Sequence, residues 1–162
     1  MRSPTLKYFL EKRHVDHGGA MVEFAIVLPL LLILVFGIIE FGILLYNKAV
    51  LTNASREGAR RGIFLIAYDP DTTTYTYSSS DDIEGVVVTY CQDRLIPKTN
   101  PLDPAKIYVT YEDISSPIGK NSTGDKLTVS VQYDYSFFLI SGLLSSLGTS
   151  IPLEGETVML LE

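Results

Sequence analysis

The stretch "HGGAMVEFAIVLPLLLILVFGIIEFGILLY", residues 17–46, decides the architecture of this chain because it is almost entirely apolar. The part from Phe24 to Tyr46 contains 23 residues and a single charged side chain, Glu40. A helix needs about 20 apolar residues to cross the hydrocarbon core of a bilayer. The stretch therefore predicts a membrane-spanning helix over about residues 24–46. We expect this helix to contact membrane lipid.

The charged side chains are unevenly distributed along the 162 residues, whose formal net charge is -6. Residues 1–18 carry a net +2, residues 19–65 a net +1, and residues 66–162 a net -9 from five basic and fourteen acidic side chains. We interpret these three parts as a leader, a long N-terminal helix and an extracytoplasmic head. An acidic head argues against nucleic acid as a partner, because the phosphate backbone requires a basic surface.

The basic leader favours a cytoplasmic N-terminus, which would place the head on the other side of the membrane. Lys48 and three arginines beyond the span act against this orientation. A cleaved secretory signal is not favoured, because small residues would follow its shorter apolar region of about 7–15 residues. Here the small residues Gly18 and Gly19 precede the apolar run.

Glu23 is an acidic residue at the start of the apolar run, where a carboxylate is costly unless it is paired. No lysine or arginine lies near it on the same helix. A cut between Gly18 and Gly19 would remove the leader and create an α-amino group at Gly19. Glu23 would then be the fifth residue, and the amine could neutralise it within the chain or on a neighbouring subunit.

The order of residues around this position resembles the processing site of type IV pilin-like proteins. Gly18 is followed by "GAMV" and then by Glu23 and Phe24. The resemblance implies that a membrane prepilin peptidase cuts after Gly18 and that Glu23 helps to set the register of subunits. A cut after Gly19 stays open, and it would make Glu23 the fourth residue.

Four further pieces narrow the resemblance: "VEFA", "LPLLL", "GIIEFG" and "LTNASREGAR". In this order, over residues 18–63, they resemble the N-terminal region of TadE-like proteins, pseudopilins of tight-adherence (Flp) pilus systems. The resemblance implies a structural subunit of the bacterial inner membrane that is required for pilus assembly, adhesion and biofilm formation. Its implied partners are the prepilin peptidase, other pilin and pseudopilin subunits through the N-terminal helix, and the inner-membrane assembly platform. The alternative is an uncleaved, single-pass binding module with an extracytoplasmic head.

Two further features of the long helix have alternative interpretations. Glu40 follows Glu23 by 17 residues, about 25 Å of helix. It could reach headgroups or water at the far interface, pair along the helix, or contact a partner subunit.

Ala54, Gly58 and Gly62 form a stripe of small residues that allows close packing. The stripe could pack under the chain's own head or against the helix of another subunit.

The first part of the head is predicted to contain a loop and one helix. We expect the long helix to continue to about Phe64 and residues 68–80, rich in Thr, Ser and Tyr, to form a polar loop. Asp81–Ile96 is predicted as a helix that begins with a capping pair of Asp81 and Glu84. Pro97 is expected to end it.

The remainder of the head is predicted to contain three strands. "KIYVTYE" (106–112) and "KLTVSVQYDYSF" (126–137) alternate apolar and polar residues, and "ETVMLLE" (156–162) closes the chain. The segment 137–148 is expected to be a crossover that covers the core or faces the membrane. The predicted fold class is α+β and pilin-like: a long transmembrane helix and a small head with an antiparallel sheet of about three strands and one packed helix.

The sequence gives little support for catalysis. Its only histidines, His14 and His17, lie in the leader, and there is neither a nucleophile elbow nor a phosphate-binding glycine loop. Cys91 is interpreted as a small core residue. We therefore predict no enzyme activity and no catalytic, cofactor or metal site.

Overall fold

The computed structural model describes residues 17–69, 71, 74–98, 100–112, 125–137, 139 and 150–160. The chain divides into two compact units, Met1–Val35 and Phe36–Glu162. Helix α1, His17–Gly62, contributes to both. The predicted α+β fold is confirmed. The chain forms a long apolar helix and a small head, and the head contains a three-stranded antiparallel sheet and a packed helix.

The first half of α1 is an exposed apolar helix. The segment Gly18–Gly62 is long and apolar enough to cross a membrane. Pro29 lies within it. Large side chains on every side of this part are exposed, among them Met21, Ile26 and Leu30. Because a continuous apolar surface of this kind is unfavourable in water, the helix suggests a single-pass membrane anchor.

The segment after α1 is a two-stranded hairpin where the sequence predicted a polar loop. Strands β1, Leu65–Asp69, and β2, Thr74–Tyr77, pair antiparallel, with Asp69 opposite Thr74. The prediction of a loop over residues 68–80 was wrong for this part. Threonine and tyrosine are common in strands, and this preference outweighed their polarity. Helix α1 ends at Gly62, two residues before the predicted end.

Helix α2, Ser80–Gln92, begins and ends earlier than predicted. Its N-cap is Ser79, whose Oγ accepts a hydrogen bond from the Asp82 backbone N–H, while the Asp82 carboxylate accepts one from the Ser79 backbone N–H. This capping box replaces the predicted pair of Asp81 and Glu84. The helix ends at Gln92, four residues before the predicted end, with Asp93 as its C-cap. The Ile96 backbone is hydrogen-bonded to the Asn47 side chain of α1.

The main sheet has the order β3-β4-β5, with antiparallel pairing throughout. Its strands are β3, Ile107–Glu112, β4, Lys126–Ser136, and β5, Ser150–Leu160. The first two lie where the sequence predicted them, whereas β5 begins six residues earlier than predicted. The predicted crossover over residues 137–148 lies outside the described residues, apart from Phe137 and Leu139.

The core of the second unit lies between α1, α2 and the inner face of the sheet. Alternate residues of β4 point into it, and the phenol rings of Tyr133 and Tyr135 are among the largest buried side chains. Helix α2 contributes Ile83 and Val87, both fully buried. The outer face of the sheet is exposed to solvent at many positions, as expected for an antiparallel sheet covered on one side.

Candidate processing site and contacts of the long helix

The predicted processing site lies at the exposed start of α1. The helix begins at His17, and Gly18 and Gly19 form part of its first turn. A Cβ atom at either glycine would meet no atom within 4 Å. Among the described residues, no side chain therefore crowds either glycine.

Glu23 and Phe24 lie on the exposed apolar part of the helix. The Phe24 side chain is 63% exposed, and its neighbour Val22 is 61% exposed. Within the described residues, Glu23 forms no ion pair. Its carboxylate is thus placed beside apolar side chains without a cation from this part of the chain, as the sequence indicated.

Glu40 is buried within the second unit, with only 2% of its surface exposed. The Tyr135 hydroxyl donates a hydrogen bond to its Oε1 atom, and the Leu139 backbone N–H donates one to Oε2 over 2.7 Å. A buried carboxylate is costly unless donors surround it. In the structure, these donors come from the chain's own head. The sequence analysis had considered lipid headgroups, water, the helix itself or a partner subunit as the surroundings of Glu40.

Tyr135 is affected by the same contact. Burial raises the pKa of its phenol far above the usual range, and the hydrogen bond to Glu40 raises it further. The phenol therefore stays protonated and remains a donor at any physiological pH. This contact joins the end of β4 to α1 at the start of the second unit.

The stripe of small residues is covered by the chain's own head. Ala54 is fully buried. A Cβ at Gly58 would lie 2.6 Å from Val87 Cγ2, and one at Gly62 would clash with Leu127 Cδ2. Both separations are shorter than van der Waals contact, so helix α2 and strand β4 approach α1 as closely as glycine allows.

Two contacts with the helix were missed by sequence reasoning. The Asn47 side chain is fully buried, and its amide makes two bonds to the Ile96 backbone: Nδ2 donates to the carbonyl oxygen, and Oδ1 accepts from the N–H over 3.1 Å. Gly155 packs directly on α1, since a Cβ there would lie 2.5 Å from the Leu51 carbonyl carbon. A glycine inside a strand often marks such a close backbone approach, and this signal was available in the sequence.

Cys91 is fully buried in the core. Burial raises the pKa of its thiol to about 11. Since the thiolate is the reactive form, this cysteine is chemically inert in the folded head. Among the residues that the structure describes, no cluster of three or more His, Cys, Asp or Glu side chains could hold a metal ion.

Comparison with known protein families gives a match in the N-terminal part of the chain. Residues 18–60 match the family described as TadE-like protein, which confirms the resemblance found in the sequence. The match begins at Gly18 and ends two residues before the end of α1. No curated protein and no solved structure matches the chain.

Proposed function

We propose that this chain is a structural pseudopilin, or minor pilin, of the TadE-like type that is cleaved by a prepilin peptidase and required for assembly of Flp pili. The observation that carries the proposal is the family match, which begins at Gly18, the residue after which the cut is expected. The match then follows α1 through its exposed apolar part and ends at residue 60, still within the helix. A role in pilus-based adhesion and biofilm formation follows from this assignment.

The surroundings of Gly18 support processing. The two glycines carry no side chain, and nothing described covers them. Cleavage removes the 18-residue leader and leaves a free amine at Gly19, four residues before Glu23. The amine would supply the cation that the Glu23 carboxylate lacks, within the subunit or on its neighbour, where a pair of opposite charges in lipid is far less costly than a single charge.

The contacts of the second unit support a role as a subunit that presents a head on a membrane helix. Several polar contacts join the head to α1, among them Glu40 with Tyr135, Asn47 with Ile96, and the hydroxyls of Ser55 and Thr157 at 2.8 Å. The head therefore cannot turn freely about this part of the helix. The proposed setting is the bacterial inner membrane, with a cytoplasmic N-terminus, a periplasmic or extracellular head, and the assembly platform and other pilins as partners.

The proposal is tested by a substitution of Glu23 in a strain that lacks the chromosomal copy of this protein. Glu23→Ala is expected to insert into the membrane at the normal level but to leave the cells without pili. Glu57→Ala, at an exposed acidic residue of the same helix, is the matched control and should restore pili.

Pili assembled normally by Glu23→Ala would contradict the pairing role of this residue. Normal pili in the deletion strain without any copy of the protein would contradict the function itself. They would favour the alternative, an uncleaved module that displays its head outside the membrane.

A further inference from the structure

We infer that two copies of this chain bind each other head to tail, through an arginine row on α1 of one copy and a glutamate pair on β5 of the other. The arginine row consists of Arg56 and Arg60, and the glutamate pair of Glu154 and Glu156. The inference rests on the proposed function for its setting, an array of subunits anchored in one membrane.

The arginine row lies on the face of α1 that is turned away from the core. Both arginines are exposed. They lie four residues apart, on one side of the helix, whereas Leu51 and Gly58, on the other side, are buried. Neither arginine forms an ion pair within the described residues, and the Arg60 guanidinium lies 6.0 Å from the ring of Phe64. The row therefore presents two cations to solvent.

The glutamate pair lies on the outer face of the sheet. Glu154 and Glu156 are exposed and flank Gly155, which faces α1. Because neighbouring residues of a strand point to opposite faces, both glutamates point away from the helix. Ser130 Oγ donates a hydrogen bond to Glu154 Oε1 over 2.7 Å, which orients one carboxylate. Within the part of the chain that the structure describes, neither glutamate forms an ion pair.

The other acidic side chains on the outer face already have cations. Glu112 lies 4.0 Å from Lys126, and Asp134 is bonded to Lys106. Lys48 of α1 donates a hydrogen bond to the backbone carbonyl of Glu154, not to its carboxylate. The two carboxylates of the glutamate pair are thus the acidic groups of this face that remain for a cationic partner. Tyr108 on β3 pairs with Ser130 on β4, which in turn pairs with Glu156 on β5. The Tyr108 side chain is 50% exposed, and a tyrosine ring can also contact an arginine.

The two surfaces match in spacing and in height. Residues four apart in a helix are separated by about 6 Å along its axis, and residues two apart in a strand by about 7 Å. Two ion pairs can therefore form side by side. The contact of Ser55 with Thr157 places Glu156 near the level of Arg56 along α1. Both surfaces therefore lie at about the same level within the second unit.

The two surfaces cannot meet within one chain, because they lie on opposite sides of the two layers formed by α1 and the sheet. Pairing between copies therefore uses different surfaces on each copy. A contact of this kind does not close on itself as a two-fold dimer does, and it can add further copies in a row. This property fits a subunit of an assembly.

The test uses full-length chains with fluorescent donor and acceptor tags, reconstituted in phosphatidylcholine vesicles, with energy transfer as the measure of association. Arg56→Glu with Arg60→Glu replaces two ion pairs by two like-charge pairs, so the association constant is expected to fall about tenfold. Glu154→Arg with Glu156→Arg should give the same loss. An equal mixture of these two variants should recover the wild-type transfer, because the reversed helix of one fits the reversed sheet of the other.

The matched control is Arg94→Glu with Lys98→Glu, at two exposed basic residues beyond α2 that carry the same change of net charge. It should retain the wild-type energy transfer. Wild-type transfer in both reversed variants, or no recovery in their mixture, would overturn the inference. The experiment involves neither a peptidase nor pili. Association through these two surfaces can therefore fail while the proposed function stands, and the proposed function can fail while the association stands.

Discussion

Gly155 offers the sharpest test of how the head packs on the long helix. In Gly155→Ala the new Cβ would lie 2.5 Å from the Leu51 carbonyl carbon, 2.6 Å from its oxygen and 2.7 Å from the Thr52 nitrogen. All three are backbone atoms of a helix, so they cannot rotate away as a side chain can. Overpacking of this kind costs about 1–3 kcal/mol, and we expect the upper end of this range.

The matched control is Gly85→Ala. Gly85 lies within α2, and a Cβ there would meet no atom within 4 Å. Because alanine loses less backbone entropy than glycine in a helix, the substitution should stabilise the head by about 0.5–1 kcal/mol. The two substitutions add the same methyl group and are predicted to have opposite signs.

The assay is thermal unfolding of the full chain in detergent, followed by tyrosine circular dichroism. A change of 1 kcal/mol shifts the midpoint of a domain of this size by about 4 °C, so Gly155→Ala should lower it by about 8–12 °C and Gly85→Ala should raise it by about 2–4 °C. An unchanged or raised midpoint for Gly155→Ala would refute the close approach of β5 to α1.

Three further predictions concern buried polar and ionisable groups. Tyr135→Phe removes one donor to the buried Glu40 carboxylate and should lower the free energy of unfolding by about 2 kcal/mol; an unchanged value would show that this bond contributes nothing. Asn47→Ala leaves the Ile96 backbone without its partners and should cost about 1–3 kcal/mol in the same melts, so an effect near zero would count against the contact. Burial raises the pKa of Cys91 to about 11 from 9.0. Its contribution to stability is therefore complete below pH 9 and lost as the pH rises to about 11, and Cys91→Ala should reduce this fall in denaturant titrations at increasing pH.

The sequence was sufficient for the large elements, because each has a period or length that few other structures share. The apolar run could only be a long helix, and the alternation in residues 126–137 predicted β4 almost to the residue. The small residues Gly58 and Gly62 indicated a close helix contact. Their position in a stripe could not show whether they pack against the head of the same chain or against the helix of another subunit.

The misplaced boundaries arose where a tertiary contact outweighed a local signal. Strand β5 contains Pro152 and Gly155, which both argue against a strand. Proline is tolerated because β5 is an edge of the sheet, and glycine is needed because α1 lies against it. Likewise, Glu40 looked like an acid at a membrane interface, since its donors, Tyr135 and Leu139, lie more than 90 residues away in sequence.

The measurement that tests the central claim most directly is the N-terminal residue of the membrane-extracted protein, determined by intact mass and terminal sequencing, with and without a co-expressed prepilin peptidase. We expect a chain that begins at Gly19 only when the peptidase is present and begins at Met1 without it. A chain that retains Met1 under both conditions would contradict processing at Gly18, because Glu23 would then lack the amine that is proposed to pair with it.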